Sequence, residues 1–177
     1  MTESNKSLNQ IIKFRLDKLN KVYAHGIDPY PQKFEPKHNN NEIVCDFINF
    51  ENKVVTIAGR IMSMRAMGNA SFFTIQDHKG RMQIFLKKDN VGEKKYDLFK
   101  LLDIGDFIGI DGIVFKTKVG EVTVRANDFT ILSKSIRPLP VVKEKDGQVY
   151  DAFNNKEQRY RKRYLDLIIN PDVKEIF

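Results

Sequence analysis

One stretch leaves this chain little freedom in how it folds. From Phe72 to Leu86 it reads FFTIQDHKGRMQIFL, two alternating runs around four turn-forming residues. Period-two alternation of this kind predicts a half-buried β-hairpin. Phe73 and Ile75 alternate with Phe72, Thr74 and Gln76; Met82, Ile84 and Leu86 alternate with Arg81, Gln83 and Phe85. A loop of Asp77-His78-Lys79-Gly80 is expected to hold Gly80 in the left-handed conformation such turns require. Gln76 then faces Arg81, and Thr74 faces Gln83. A slip of one residue would turn every apolar side chain outward, so the register is strongly specified. Phe73, Ile75, Met82 and Ile84 form the core face, and Phe72, Gln83 and Arg81 share the other. An aromatic plate, an amide and a cation on one open face are the ingredients of a surface for single-stranded bases. They are also compatible with a half-solvated sheet that carries one ordinary exposed Phe.

The flanking sequence extends this hairpin into a barrel. A further strand is predicted over Lys53–Arg65, with Gly59 marking a bend or bulge and Gly68-Asn69 a turn. EKKYDLFKLL, from Glu93 to Leu102, reads as a helix. Strand four covers about Asp106 to Lys116. The turn Lys118-Val119-Gly120 leads to strand five, Glu121 to Leu132, in which Glu121, Thr123 and Arg125 point one way and Val122 and Val124 the other. Three strands, a helix and two strands is the element order of a five-stranded Greek-key OB-fold barrel. The fold class is therefore mainly β. On that map Phe72 and Gln83 lie at the centre of the ligand face, Arg65 at the end of strand one, and Glu121 beside the last loop.

Two basic helices flank the barrel. From about Ser4 to Ala24, Leu8, Ile12, Leu16, Leu19 and Tyr23 fall at helical spacing and predict an apolar stripe that packs on the neighbouring domain, with a dedicated RNA contact as the alternative. Gly26, Pro29 and Pro31 stop this helix and begin an extended linker, and a short helix or turn follows around Asn41 to Asn49. After Arg137-Pro138-Leu139-Pro140 and a polar loop with an Asp146-Gly147 turn, a second helix is expected over Asn155–Ile168. Its apolar stripe is Tyr160, Tyr164, Leu167 and Ile168, with Arg159, Lys162 and Arg163 between them, either as a solvated face or as a surface on which something outside this chain docks. Lys174 to Phe177 reads as the start of another helix. The expected domains are 1–50, N-terminal helix and linker; 51–135, the OB-fold; and 136–177, a connector.

Composition narrows the chemistry. Thirty Lys and Arg against 23 Asp and Glu give a net charge of +7, which favours polyanionic partners. The single Cys, Cys45, excludes an intramolecular disulfide and any CxxC metal site. The N-terminus lacks the apolar core of a signal peptide, and nowhere do 18 apolar residues run together, so a cytoplasmic protein without a membrane span is expected. His25, His38 and His78 are scattered, and neither a GxxxxGK[ST] phosphate loop nor a GxSxG elbow occurs. No catalytic residue, metal ligand or cofactor-binding residue is assigned to this chain.

Five stretches together carry a resemblance. GIDPYP, GRIMSMRAMGNASFFTIQDHKGRMQIFLKKD, FKTKVGEVTV, RPLP and EQRYRKRYLDLI follow one another as in the bacterial-type lysyl-tRNA synthetases, and order and spacing agree from about Ile11 onward. That family is class IIb. The resemblance implies a homodimeric enzyme that joins lysine to tRNA(Lys) through a lysyl-adenylate made from ATP and Mg²⁺. It further implies an N-terminal OB-fold that binds the anticodon loop and a catalytic domain whose ATP-binding motifs lie beyond Phe177. This chain would therefore be inactive alone, with its own oligomeric state open. Carried over position by position, the resemblance makes Phe72 the aromatic that stacks on the anticodon. It makes Gln83 the contact to the middle uracil, Arg65 a support for the loop, and Glu121 a reader of a base at or next to that position. The aspartyl and asparaginyl relatives share these residue types, but GIDPYP and RYRKRYLDLI favour the lysyl branch. A general single-strand binder remains the other alternative.

Overall fold

The computed structural model describes residues 7–140, 143–145, 148–150, 153 and 155–177. The expected helix start at Ser4 and the Asp146-Gly147 turn lie outside them. Two compact units divide the chain, residues 1–137 and 138–177.

In the first unit, α1 spans Leu8–Ala24, α2 Asn40–Cys45 and α3 Phe47–Phe50. The barrel strands are β1 Val54–Met67, β2 Ala70–Gln76, β3 Arg81–Lys87, β4 Phe107–Lys116 and β5 Val122–Ser133, with α4 Lys88–Val91 and α5 Glu93–Phe99 between β3 and β4. The strands close in the order β1-β2-β3-β5-β4, and β4 returns to β1. Only the β3–β5 contact is parallel; the other pairings are antiparallel. This is the OB-fold expected from the element order.

Closure relies on the long first strand. Val54–Arg60 pair with β4, and Arg60–Met67 pair with β2. The change of partner needs a bend, and the register shifts between Ile61 and Ser63. The bulge expected at Gly59 therefore lies two to three residues further on. Gly59 has a different reason: a Cβ there would sit 2.9 Å from the Gln76 carbonyl oxygen and 3.1 Å from the Ile75 Cβ. The hairpin register is as expected, with Gln76 opposite Arg81 and Thr74 opposite Gln83. Gly80, however, is not in the left-handed region. The Asp77 carboxylate closes the turn instead, accepting the N–H groups of Lys79 and Gly80 at 2.7 Å each. An Asx-type turn of this kind needs no positive φ.

The barrel interior takes one side of each strand. Ile57, Phe73, Ile75, Met82, Ile84, Leu86, Ile110 and Val124 are buried together. Buried aliphatic and aromatic side chains each contribute about 1.5–3 kcal/mol relative to exposure. Helix α5 plugs one end through Tyr96, Leu98 and Phe99, with the Phe99 ring 5.0 Å from that of Phe73. It stops at Phe99, short of the expected Leu102.

Helix α1 docks differently from its periodicity. Ser7 and Gln10 form a reciprocal capping box at its start. Its buried residues are Arg15 and Val22, whereas Leu8, Leu16 and Tyr23 of the expected stripe are exposed. Arg15 donates from Nη1 to the Ser135 carbonyl at 2.8 Å and from Nη2 to the Ile104 carbonyl at 3.1 Å. The carbonyl groups at this rim leave the sheet ladder unpaired, so a guanidinium satisfies them where a leucine could not.

Beside Arg15 lies a buried ionic cluster. Lys134 is fully buried, and its Nζ donates to the Leu101 carbonyl at 2.8 Å, Asp103 at 2.8 Å and Asp106 at 2.6 Å. Asp103 also accepts from Lys18 of α1 at 2.5 Å. Burial pushes both carboxyls up. Lys134 and Lys18 together more than reverse this for Asp103, which lies below the ordinary value. Asp106 has Lys134 and two backbone N–H groups as partners, and it stays above the ordinary value. Ion pairing with Lys134 accounts for the burial of both aspartates, and Asp106 also closes the turn by accepting the Asp103 N–H at 2.7 Å.

The second unit contains a two-stranded antiparallel sheet, β6 Lys143–Lys145 and β7 Gln148–Tyr150, where the sequence predicts a loop. The single helix expected over Asn155–Ile168 is two, α6 Lys156–Arg161 and α7 Arg163–Ile169, followed by α8 Pro171–Ile176. Lys162 breaks it with φ −124° and ψ 49°. The break lets Arg159 and Arg163 converge on buried Asp166, at 3.0 and 2.5 Å. Those arginines are thus not simply a solvated face, and Tyr160 and Tyr164 of the expected apolar stripe are exposed.

Candidate nucleic-acid interface

The outer face of β1, β2, β3 and β5 carries two adjacent rows of side chains. Register fixes both. One row runs Arg65, Phe72, Phe85, Arg125, and its neighbour runs Ser63, Thr74, Gln83, Thr123. Residues in a row stand on adjacent strands about 4.8 Å apart, and rows two residues apart along a strand are separated by about 6.7 Å. The first row is cationic and aromatic. The second is a line of hydrogen-bonding groups.

An open cleft of about 570 Å³ is lined by Arg65 and Phe72 of the first row and by Ser63, Thr74 and Gln83 of the second. Arg65, Phe72, Gln83 and Glu121, the four residues singled out in the sequence, all line it. Arg65 is exposed and directly opposite Phe72. Phe72 is half-buried and rests on Phe85, with ring centroids 4.7 Å apart and planes tilted by 36°. That contact leaves the plate supported from the sheet. Arg81 is drawn aside, donating from Nε to the Gln76 Oε1 at 2.9 Å.

The polar end of the cleft is a connected set. Gln83 donates from Nε2 to Glu121 Oε2 at 2.6 Å. Its Oε1 accepts from the Thr123 hydroxyl at 2.8 Å. The Glu121 N–H in turn donates to the Thr117 hydroxyl at 3.0 Å, and the Glu121 carbonyl accepts the Thr117 N–H at 2.9 Å. The tight β4–β5 turn, with Gly120 at φ +90°, therefore presents Glu121 in a fixed place. Lys118 and Val119 of the same turn also line the cleft, with Val119 87% exposed at its tip. Each amide atom of Gln83 keeps one hydrogen-bonding position unused by these contacts, one N–H and one lone pair.

Sequence reasoning did not single out Thr123, Thr117 or Lys118. A signal for Thr123 existed, since alternation along strand five put it on the side of Glu121. Its partner could not be read, because the parallel contact with Gln83 joins residues 40 apart. Among the described residues no group of three or more His, Cys, Asp or Glu could hold a metal ion. No helix among them is long and apolar enough to cross a membrane.

Residues 55–132 match the family of OB-fold nucleic acid binding domains known for the tRNA anti-codon. The whole chain is similar to several curated proteins named lysine–tRNA ligase. That of Thermoanaerobacter sp. (strain X514) is 50% identical over 175 residues, covering 98% of this chain and 34% of the relative. That of Pelotomaculum thermopropionicum is 48% identical, covering 96% and 32% respectively. That of Christiangramia forsetii is 51% identical, covering 96% and 31%. The chain thus spans about a third of the length of the relatives it matches.

Proposed function

We propose that the cleft of this barrel, whose residues 55–132 match OB-fold nucleic acid binding domains, binds the anticodon loop of tRNA(Lys). One observation carries this reading: an aromatic plate, a two-way amide, a carboxylate and a cation from four separate parts of the chain line one cleft. Phe72 stacks on a base. Arg65 and Lys118 neutralise loop phosphates. Gln83 meets the middle uracil, donating its remaining N–H to a uracil carbonyl and accepting the uracil N3–H. Cytosine in the same pose sets donor against donor and acceptor against acceptor, which leaves polar groups unpaired at about 1–3 kcal/mol each. Glu121, an acceptor when ionised, admits a base N–H beside it and repels a carbonyl.

The longer protein is, on this reading, a cytoplasmic homodimeric lysine–tRNA ligase, with residues 136–177 connecting the barrel of residues 51–135 to a catalytic domain. ATP and Mg²⁺ would supply lysine activation in that domain. The described residues here offer neither a phosphate loop nor a metal-ligand cluster for them, so no step of ligation is assigned to these side chains.

The test is a titration of the 177-residue chain with anticodon stem-loops that differ only at the middle base. The parent is expected to prefer uracil over cytosine. Gln83→Ala is expected to flatten that preference more than it weakens binding overall. Equal discrimination by the two proteins would remove Gln83 as the reader.

A further inference from the structure

The cationic and aromatic row that begins in the cleft does not end there. Arg65 and Phe72 line the cleft, whereas Phe85 and Arg125 of the same row lie outside its lining, as does Phe115 on the next strand. Resting on the reading of the cleft above, we infer that Phe85, Phe115 and Arg125 form a second RNA subsite, in which Arg125 takes a phosphate of the same strand whose base stacks on Phe72.

The arginines of the barrel strands sort by what they already bind. There are four, Arg60, Arg65, Arg81 and Arg125. Arg60 donates to the Gly105 carbonyl at 3.1 Å and lies over the Phe107 ring. Arg81 is held by Gln76. Arg65 and Arg125 are both exposed, and among the described residues neither has a carboxylate or another hydrogen-bond acceptor for its side chain. The two arginines with a free N–H edge are therefore the two that share a row, with the Phe72 and Phe85 rings between them. Three inter-strand spacings separate them, about 14 Å along the sheet.

Ring contacts restrain Arg125. Its guanidinium lies 5.9 Å from the centre of the Phe115 ring, within reach of a cation–π contact. Phe115 meets the Phe85 ring edge-on at 6.4 Å, and Phe85 supports Phe72 at 4.7 Å. A chain of three rings thus ties the guanidinium to the stacking plate. The ring contact occupies a face of the guanidinium and leaves its N–H edge for an anion. Phe72, Phe85 and Phe115 are each half-buried, so the strip between the two cations keeps apolar surface open to solvent. Flat rings between unpaired cations suit a single strand, whose bases stack and whose backbone is anionic. A strand that leaves Phe72 on the side away from Arg65 crosses Phe85 and reaches Arg125 next.

The test compares the chain with Arg125→Ala and Arg125→Gln. Each is titrated with a UUU anticodon stem-loop, and with copies in which one loop phosphate at a time is replaced by a neutral methylphosphonate. Arg125→Ala is expected to bind the unmodified loop about tenfold more weakly, as for a lost hydrogen bond to a charged group. Its slope of log affinity against log salt is expected to fall by about 0.7, with the uracil-to-cytosine ratio unchanged. One methylphosphonate is expected to weaken the parent by a similar factor and to leave Arg125→Ala unaffected, because that contact is already gone. A thermal melt checks the fold, and Arg125→Gln, which keeps length and removes charge, carries the same expectation if Arg125→Ala does not fold. The inference is overturned if the variants bind the unmodified loop as the parent does. It is also overturned if every methylphosphonate costs variant and parent alike, which would make Arg125 a diffuse charge and not a contact. Both results leave the cleft reading standing, provided that the parent prefers uracil and Phe72→Ala loses affinity. A parent that does not bind the stem-loop overturns the cleft reading and this inference together.

Discussion

Replacing Lys134 with Met tests how the barrel is closed against α1. The parent ammonium is fully buried, and its three protons meet three acceptors, the Leu101 carbonyl, Asp103 and Asp106. Lys134→Met keeps the apolar stem and deletes the charge. Asp103 retains Lys18 at 2.5 Å. Asp106 keeps only the N–H groups of Ser135 and Asp103, each at 2.7 Å, so most of the loss falls on it. Breaking a buried pair from one side costs about 3–5 kcal/mol. The stranded carboxyl can relieve its lost pairing by taking up a proton, which pushes its titration further up. The expected loss is therefore about 3–5 kcal/mol, seen as a fall in Tm of roughly 10–15 °C for a unit of this size.

The pH dependence has a definite sign. In the variant the folded-state pKa of Asp106, already raised by burial, rises further. Its penalty sets in as pH climbs above about 3.9 and disappears on acidification. Asp103 is depressed in the parent, so its contribution is present above about 3.9 and is lost as pH falls through its folded value. Both effects bring the two proteins together at low pH. Urea denaturation followed by circular dichroism at pH 7 and pH 4.5 measures the gap. A loss below about 1 kcal/mol at pH 7, or one that does not shrink at pH 4.5, would refute the cluster's ionic character.

Three further expectations follow from the same geometry. Phe72→Ala should weaken binding of a UUU stem-loop by about 1–3 kcal/mol, the worth of one base–aromatic stack, and binding equal to the parent at fixed salt would reduce Phe72 to a surface aromatic. Lys118→Ala should lower the slope of log affinity against log salt by about 0.7, as for one phosphate contact on a single strand, with uracil preference unchanged. Gly112→Ala puts a Cβ 2.4 Å from the Arg125 carbonyl oxygen, and since backbone has little room to retreat, a loss of about 1–3 kcal/mol should appear in the urea midpoint.

The amino-acid sequence by itself determined the hairpin, its register and the order of the barrel strands. Each depends on local periodicity, which records which face of a strand is apolar, and on turn residues close in the chain. It also supplied the four cleft residues by type, although only closure of β1-β2-β3-β5-β4 brought Arg65, Phe72, Gln83 and Glu121 to one place. What the tertiary structure decided is nearly all polar. A lysine reads as a surface residue, and Lys134 is buried because three acceptors about 30 residues earlier in the chain surround it. Helix α1 turns Arg15 inward and leaves Leu8, Leu16 and Tyr23 outside because the rim it meets presents unpaired carbonyl groups. The helix after residue 155 breaks at Lys162, and Arg159 and Arg163 close on Asp166. Thr123 meets Gln83 through a parallel strand contact that no short-range pattern encodes. Apolar burial needs only a face, which alternation reveals. Polar burial needs particular partners at hydrogen-bonding distance, and in this chain the fold alone assembles them.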